Sequence, residues 1–364
     1  MSVSERAGEK DAAALTAALT GRSAIVVGGA GFVGSNLCVR LLREGIRSLS
    51  VVDNLLSAER WNLPDDPRLR FVEGSIADES ILDALADEHD FVFHLATFHG
   101  NQSSIARPLE DHANNAITTL KLLERIKGFG KLRRVVYSSA GCSLGEKTPG
   151  GPTVSKEDLP ISLYFDSPYQ ISKILGELYG NYYFTAHGVP FVKARFQNVY
   201  GPREILGAGA WRGTPATVWR NVTPTFIYRA LKGLPLKVEG EGSSRDFIFV
   251  EDIVEGLCRA AAFGQAGQVY NLGTGVETAI LDLAQLIVAE THSSSEIQKL
   301  PRRSWDSSSR RYGATDKAAR EIGFRASVTA AEGVRRTVAW TREHLDRIDA
   351  AIRKHDAQMA APGA

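Results

Sequence analysis

The chain has 364 residues, 43% hydrophobic and 23% charged, and its 43 lysines and arginines against 42 aspartates and glutamates give a formal charge of +1. That length allows a large core split between two lobes, and the balanced charge gives no electrostatic case for nucleic acid or an anionic membrane as partner. Cys38, Cys142 and Cys258 are widely spaced without metal-ligand spacing, no apolar stretch is long enough to span a membrane, and the N-terminus lacks signal-peptide order. The reading is therefore no metal centre and a reducing cytoplasm.

Residues 1–20 read as a tail or a short helix. A buried-strand run at 24–27 leads into a glycine turn, helical periodicity follows at 35–42, and a second strand at 48–52 ends on Asp53, nineteen residues beyond Gly34. The turn reads Gly28-Gly29-Ala30-Gly31-Phe32-Val33-Gly34, and Gly29, Gly31 and Gly34 satisfy G-x-G-x-x-G. Glycines here allow a tight turn, close approach of backbone to a pyrophosphate, and close packing of helix on strand. The helix N-terminus offers free N–H groups to the phosphates. A carboxylate ending the second strand can accept hydrogen bonds from the adenosine ribose hydroxyls and repels a 2′-phosphate, so the cofactor expected is NAD rather than NADP.

Strands are expected at 69–73, 91–96, 134–139 and 191–196, with helices at 81–86, 108–127 and 168–187 between them and a breaker loop Pro149-Gly150-Gly151-Pro152. This alternation implies a doubly wound parallel sheet. It breaks at 201–222, a glycine-containing stretch with Trp211 and Trp219, too long and irregular for a simple connection and a candidate for function. Regular structure resumes at 225–231, 236–238 and 247–250, then a helix at 251–263, a strand at 268–272 and a smaller helical region over 280–340. Arg302, Arg303, Arg310 and Arg311 form the strongest basic cluster, useful around a diphosphate.

Tyr169 and Lys173 are four apart, on one helical face about a turn from each other. A phenol with pKa near 10 is a poor base at neutral pH, and a nearby ammonium favours tyrosinate. The phenol can then take a proton from a substrate hydroxyl.

The ordered set Gly28-x-x-Gly31-x-x-Gly34, Asp53, His94-Leu95-Ala96, Asn115, the strand at 135–139, Tyr169 with Lys173, Arg195-Phe196-Gln197-Asn198-Val199-Tyr200-Gly201-Pro202 and Arg245 to Val250 resembles the extended short-chain dehydrogenases/reductases, in their nucleotide-sugar epimerase/dehydratase branch. The resemblance spans roughly residues 22–345. It implies an α/β fold: a Rossmann doubly wound parallel sheet over 21–197 and 244–276, a smaller substrate-binding lobe over 198–243 and 277–345, and a tail at 346–364. It also implies a tightly held NAD, a nucleoside diphosphate sugar as substrate, and a homodimer formed through the helices at 108–127 and 168–187.

Carried onto this sequence, the resemblance gives NAD to Gly28, Gly31, Phe32, Val33, Gly34, Asp53, Asn54, Ser75, Ile76, Leu95, Ala96, Thr97, Asn115 and Lys173. It gives the substrate to His99, Ser143, Asn198, Arg220, Asn221, Val222 and Arg245, with Arg303 and Asp306 as a pair around phosphate and nucleotide ribose. One departure stands out. The family's serine or threonine, three residues after the aromatic end of the fifth strand, falls on Ala140, leaving Ser139 or, less readily, Ser143 to supply a hydroxyl. Two positions further, where related dehydratases and decarboxylases carry glutamate and GDP-mannose 3,5-epimerases carry cysteine, stands Cys142: an acid/base or shape-setting contact, or a small buried hydrophobe. The expected activity is 4-epimerisation of a nucleotide sugar, UDP first, with Tyr169 as base. Decarboxylation, 5-epimerisation and 4,6-dehydration are the alternatives within the class, and outside it a dinucleotide sensor without catalysis or an alcohol dehydrogenase releasing NADH.

Overall fold

The computed structural model describes residues 12–98, 100–141, 152–162, 164–210, 215–304, 306 and 310–359. Seven strands, β1 (Ser23–Val27), β2 (Ser48–Asp53), β3 (Leu69–Glu73), β4 (Phe91–His94), β5 (Arg134–Ala140), β6 (Phe191–Phe196) and β7 (Val269–Leu272), form one sheet. Every pairing is parallel, and the order is β3-β2-β1-β4-β5-β6-β7. The order reverses between β1 and β4, where a doubly wound sheet opens its ligand crevice.

The apolar runs seen in the sequence are central strands covered on both sides; all five residues of β1 are buried. One face packs Val26 against Leu37, Cys38 and Leu41 of the helix Phe32–Arg43 and against Val254 and Leu257 of the helix Val250–Phe263. The other packs Ile25 and Val27 with Leu122, Leu123 and Ile126 of the helix Thr118–Ile126 and with Tyr183 of the helix Pro168–His187.

The second lobe has its own core, in which Tyr200, Phe226, Ile227, Phe249, Leu283, Ile287 and Val338 are buried together. The expected helical region over 280–340 contains helices at Ile280–Thr291, Asp316–Ile322 and Ala330–Glu343, but also two strands. Ile297–Leu300 pairs in parallel with Leu236–Glu239, and Arg310–Gly313 pairs in parallel with Pro152–Ser155 and Ser244–Arg245. These strands are four residues long, too short to show a period of two among charged neighbours.

The helix expected at 108–127 runs without a break from Pro108 to Ile126, with a π-helical stretch, His112–Ile117, between Pro108–Asp111 and Thr118–Ile126. One more expectation changes. The expected tail at 346–364 begins as a helix, Leu345–Arg353, with Ile348, Ala351 and Ile352 buried against Ile205, Leu206 and Ala208. Its apolar residues recur at helical spacing, so burial of one face outweighs the charged composition. The helix at 12–19 buries Leu15 and Leu19 in the main core. Among the described residues no helix is long and apolar enough to cross a membrane.

The helix Pro168–His187 lies close on β5 and β6 because glycine occupies its inner face. A Cβ built on Gly180 would stand 1.9 Å from the ring of Phe191. That ring is 1% exposed and stacked 5.7 Å from the ring of Tyr137, so it has nowhere to move. Gly180→Ala is expected to cost about 2 kcal/mol by overpacking. Chemical denaturation of the two proteins side by side measures this, and an unchanged midpoint would show that the helix can ride outward freely.

Candidate active site

At the crevice, β1 is followed by Gly28, whose φ of +83° turns the chain and whose N–H donates to the carbonyl of Val52 at 2.8 Å. A Cβ on Gly28 would lie 2.5 Å from the Ala96 nitrogen, and one on Gly34 would lie 2.1 Å from the Gly28 oxygen. The helix Phe32–Arg43 therefore sits directly on the turn. Its N-cap, Gly31, makes no side-chain capping bond, leaving its first N–H groups for a ligand.

One continuous cavity of ≈ 480 Å³ runs from this turn into the second lobe. Gly28, Gly31, Phe32, Val33, Gly34, Asp53, Asn54, Ser75, Ile76, Leu95, Ala96 and Thr97 all line it. The Asp53 carboxylate is 8% exposed and accepts from the N–H groups of Ala30 and Leu55, each at 2.9 Å. Burial raises its pKa, and hydrogen bonds from the Leu55, Ala30 and Gly31 backbones oppose that rise. Its remaining lone pairs can accept two ribose hydroxyls.

Asn115 is not part of this lining. Its Oδ1 accepts from the Phe98 N–H at 2.7 Å and the Thr97 hydroxyl at 3.1 Å, and its Nδ2 donates to the Phe98 carbonyl and to Asp111. The π-helical stretch turns this amide onto the segment leaving β4, so it braces the wall, while Asn114 and Thr118 reach the cavity.

Tyr169 and Lys173 both line the cavity from the first two turns of the helix Pro168–His187. Lys173 is 2% exposed; its ammonium donates to the Ser138 carbonyl at 2.9 Å and stands 5.8 Å from the centre of the Tyr169 ring. His94 adds no competing charge, because burial and then the Lys173 charge push its pKa down to about 3.

Ala140 lines the cavity without a hydroxyl. Ser139 lines the cavity as well, and its hydroxyl donates at 2.5 Å to Glu177 Oε1. Glu177 also accepts Arg195 Nε at 2.7 Å and Nη2 at 2.6 Å, so Ser139 serves a buried ion pair. His99, Cys142 and Ser143 lie outside the described residues.

Asn198, Arg220, Asn221, Val222, Arg245, Arg303 and Asp306 line the far half of the cavity. Asn221 caps the helix Val222–Leu231 without a side-chain bond to that helix and donates its amide to Glu204. The expected pair of Arg303 with Asp306 is shared more widely. Arg245 Nη2 donates to Asp306 at 2.8 Å and Arg303 pairs with Glu239, while the Asp306 charge also acts on Arg303.

Sequence reasoning passed over Arg203, Glu204, Lys237, Glu239, Arg302, Gln197 and Arg311 as individual site residues, and all line the cavity. Gln197 stood inside the motif that marked Asn198, and Arg302 and Arg311 belonged to the noted basic cluster. Glu204 had no such signal, since only the tertiary packing buries it.

A family model described as "NAD dependent epimerase/dehydratase family" matches residues 24–273. The chain belongs to this family. UDP-glucose 4-epimerase of Mycolicibacterium smegmatis is 33% identical over 87% of this chain and 98% of its own length. A dTDP-glucose 4,6-dehydratase of Actinoplanes is 31% identical over 87% and 97%. Among solved structures, the Bordetella bronchiseptica enzyme WbmF in complex with NAD+ and UDP is 55% identical, with a TM-score of 0.84 over 94% of this chain and 98% of that one. Membership in the epimerase/dehydratase family fixes the cofactor as NAD and leaves the reaction open between its branches.

Glu204 gives a pH signature. Burial raises its pKa to about 7, against opposing effects of Asn221 and Arg220. The folded protein then holds a proton that the unfolded chain releases near the ordinary 4.5, so stability falls as pH rises from about 4.5 to about 7. Glu204→Gln, which keeps an acceptor for Asn221, should melt above the wild type at pH 8 and level with it below pH 4.5. Parallel melting curves with no pH-dependent gap would remove this assignment.

Proposed function

We propose that the chain is an NAD-dependent nucleotide-sugar 4-epimerase, with a UDP sugar as the first substrate to test. The observation that carries this is the single cavity in which the Tyr169 phenol and Lys173 ammonium stand between the glycine turn with Asp53 and the arginines of the second lobe. The enzymes compared above support the same class.

The turn at Gly28 to Gly34, the helix N-terminus behind it and Asp53 fit a dinucleotide, because the space that side chains would fill has been left to backbone. NAD bound there supplies a reversible hydride acceptor. Tyr169 takes the proton from the sugar C4 hydroxyl, and Lys173, already buried beside it, favours the phenolate. Arg245, Arg303 and the N-terminus of the helix Val222–Leu231 hold the diphosphate. The sugar becomes a 4-ketone that turns in the site, and Tyr169 returns the proton to the oxygen on the opposite configuration. Asp306 and Glu239 are each paired with an arginine, so neither is a free base for 4,6-elimination.

Proton NMR in deuterium oxide with UDP-glucose and other UDP sugars tests the reading. A 4-epimer without ring deuterium is expected; deuterium at C5, loss of C6 or an accumulating ketone assigns another branch. Tyr169→Phe should lower kcat about 10²- to 10⁴-fold while NAD binding persists. Turnover near the wild-type rate would take Tyr169 out of the chemistry.

A homodimer fits this reading. Ile171, Leu178 and Tyr182 of the helix Pro168–His187 are 46%, 48% and 56% exposed, and Ile117 and Leu109 are exposed on the neighbouring helical stretch. Such a stripe is suited to a second copy. Leu178→Asp should give a monomer by light scattering where the wild type gives a dimer. The buried thiols of Cys38 and Cys258 fit a reducing cytoplasm.

A further inference from the structure

In the cavity lining Asp306 and Glu239 are each paired with an arginine, and Asp53 accepts backbone N–H groups. Glu204 lines the same cavity on different terms. It is 9% exposed, its Oε1 accepts from the neutral amide of Asn221, and its Oε2 is shielded from solvent without a partner among the described residues. One neutral donor does not balance a buried carboxylate.

The surroundings offer it little further charge. Arg203, next along the chain, turns its guanidinium to the Asn62 carbonyl, and the helix Leu345–Arg353 packs on the following residues through Ile348, Ala351 and Ile352, which carry no charge. Arg220 is the charged side chain that acts on Glu204; it lines the cavity too and makes no ion pair among the described residues. Arg220 adjoins Asn221, the N-cap of the helix Val222–Leu231. Glu204 thus stands one hydrogen bond behind the helix N-terminus that faces the diphosphate in the reading above.

Two anions there would draw on the same donors. An ionised Glu204 and a diphosphate both need Arg220 and the positive end of the helix, and like charges in a confined, water-poor space disfavour the ionised form of whichever group can take up a proton. The diphosphate of a nucleotide sugar stays charged at neutral pH, so Glu204 is the group that gives way. Burial already raises its pKa to about 7, which puts the change within easy reach.

We infer that Glu204 is a positioning residue for the diphosphate: neutral, it holds the Asn221 amide and leaves Arg220 and the helix N-terminus to the phosphates, and ionised, it opposes them, so that substrate and a proton bind together. The proton comes from solvent and adds to Oε2, since Oε1 accepts from Asn221. Glu204 has this role only under the nucleotide-sugar reading above. Its pKa is then higher with the diphosphate bound than without, so affinity is full below about pH 7 and declines as pH rises through it.

Calorimetric titration of the NAD-loaded Tyr169→Phe protein with UDP-glucose, from about pH 6 to about pH 8 and in two buffers of different ionisation enthalpy, tests this with turnover suppressed. UDP-glucose has no group that titrates in this range. Affinity is expected to fall about 10-fold across it, with about half a proton taken up per site near the middle. Adding Glu204→Gln, which keeps an acceptor for Asn221, should give an affinity that is flat with pH and no proton uptake. Zero uptake and a flat affinity with Glu204 in place overturn the inference without recourse to any variant at that position. A pH dependence that persists in Glu204→Gln overturns it too, by giving the proton to another group. Absence of binding at every pH overturns the nucleotide-sugar reading along with it.

Discussion

An ammonium buried as deeply as that of Lys173 is tolerated only where its hydrogens find acceptors and its charge finds electron-rich surfaces. The structure supplies the Ser138 carbonyl at 2.9 Å and the rings of Tyr137 and Tyr169 at 5.2 and 5.8 Å. Several features follow from that need. The helix bearing Lys173 must ride low on the sheet, which its inner glycine face allows, and β5 must run on past β4 to present the carbonyl of Ser138. His94 must stay neutral, as burial and the lysine charge ensure. In the proposed reaction the same charge would favour the phenolate of Tyr169, so packing and chemistry would rest on one group.

The two halves of the cavity are joined by side-chain amides. Asn62 donates to the carbonyl of Ala30 in the glycine turn and to that of Arg203, and Asn36 donates to the carbonyl of Pro202. Arg203 adopts a φ of +73°, uncommon for a residue with a side chain, and its guanidinium donates back to the Asn62 carbonyl. The next residue, Glu204, accepts from Asn221 at the start of the helix facing the far half. The turn that fits a cofactor and the helix that fits a diphosphate are therefore two ends of one hydrogen-bonded chain. The helix Leu345–Arg353 closes over this chain by burying Ile205, Leu206 and Ala208.

The parts legible in the sequence were those governed by local pattern. Apolar runs without polar breaks became the central strands, the glycine spacing became the turn, and a spacing of four placed Tyr169 one helical turn from Lys173. What escaped was set by distant contacts. Ser139 offered a hydroxyl at a plausible position, but the buried Arg195–Glu177 pair, 56 and 38 residues away along the chain, claims it. Asn115 matched a motif, yet a π-helical stretch, which carries no sequence period of its own, turns it into the wall. The strand Arg310–Gly313 lies in a stretch expected to be helical, and it forms where Ser244–Arg245 and Pro152–Ser155 flank it.

Relatives of nearly equal similarity carry out epimerisation and dehydration, and the distribution of constraint in this cavity gives a physical reason. The sheet, the turn and the Tyr169–Lys173 pair are fixed by core packing and cannot vary much. The wall from the second lobe presents polar side chains carried on a separate apolar core. In the proposed reaction Arg245 and Arg303 would anchor the diphosphate, while among the described residues Ala140 would add no side-chain hydrogen bond and the Ser139 hydroxyl donates to Glu177. A ligand anchored at one end and loose at the other can rotate about its anchor, and presenting both faces of a flat ketone to one cofactor requires that freedom. An extra contact to the reacting hydroxyl would hold one face in place and oppose the rotation.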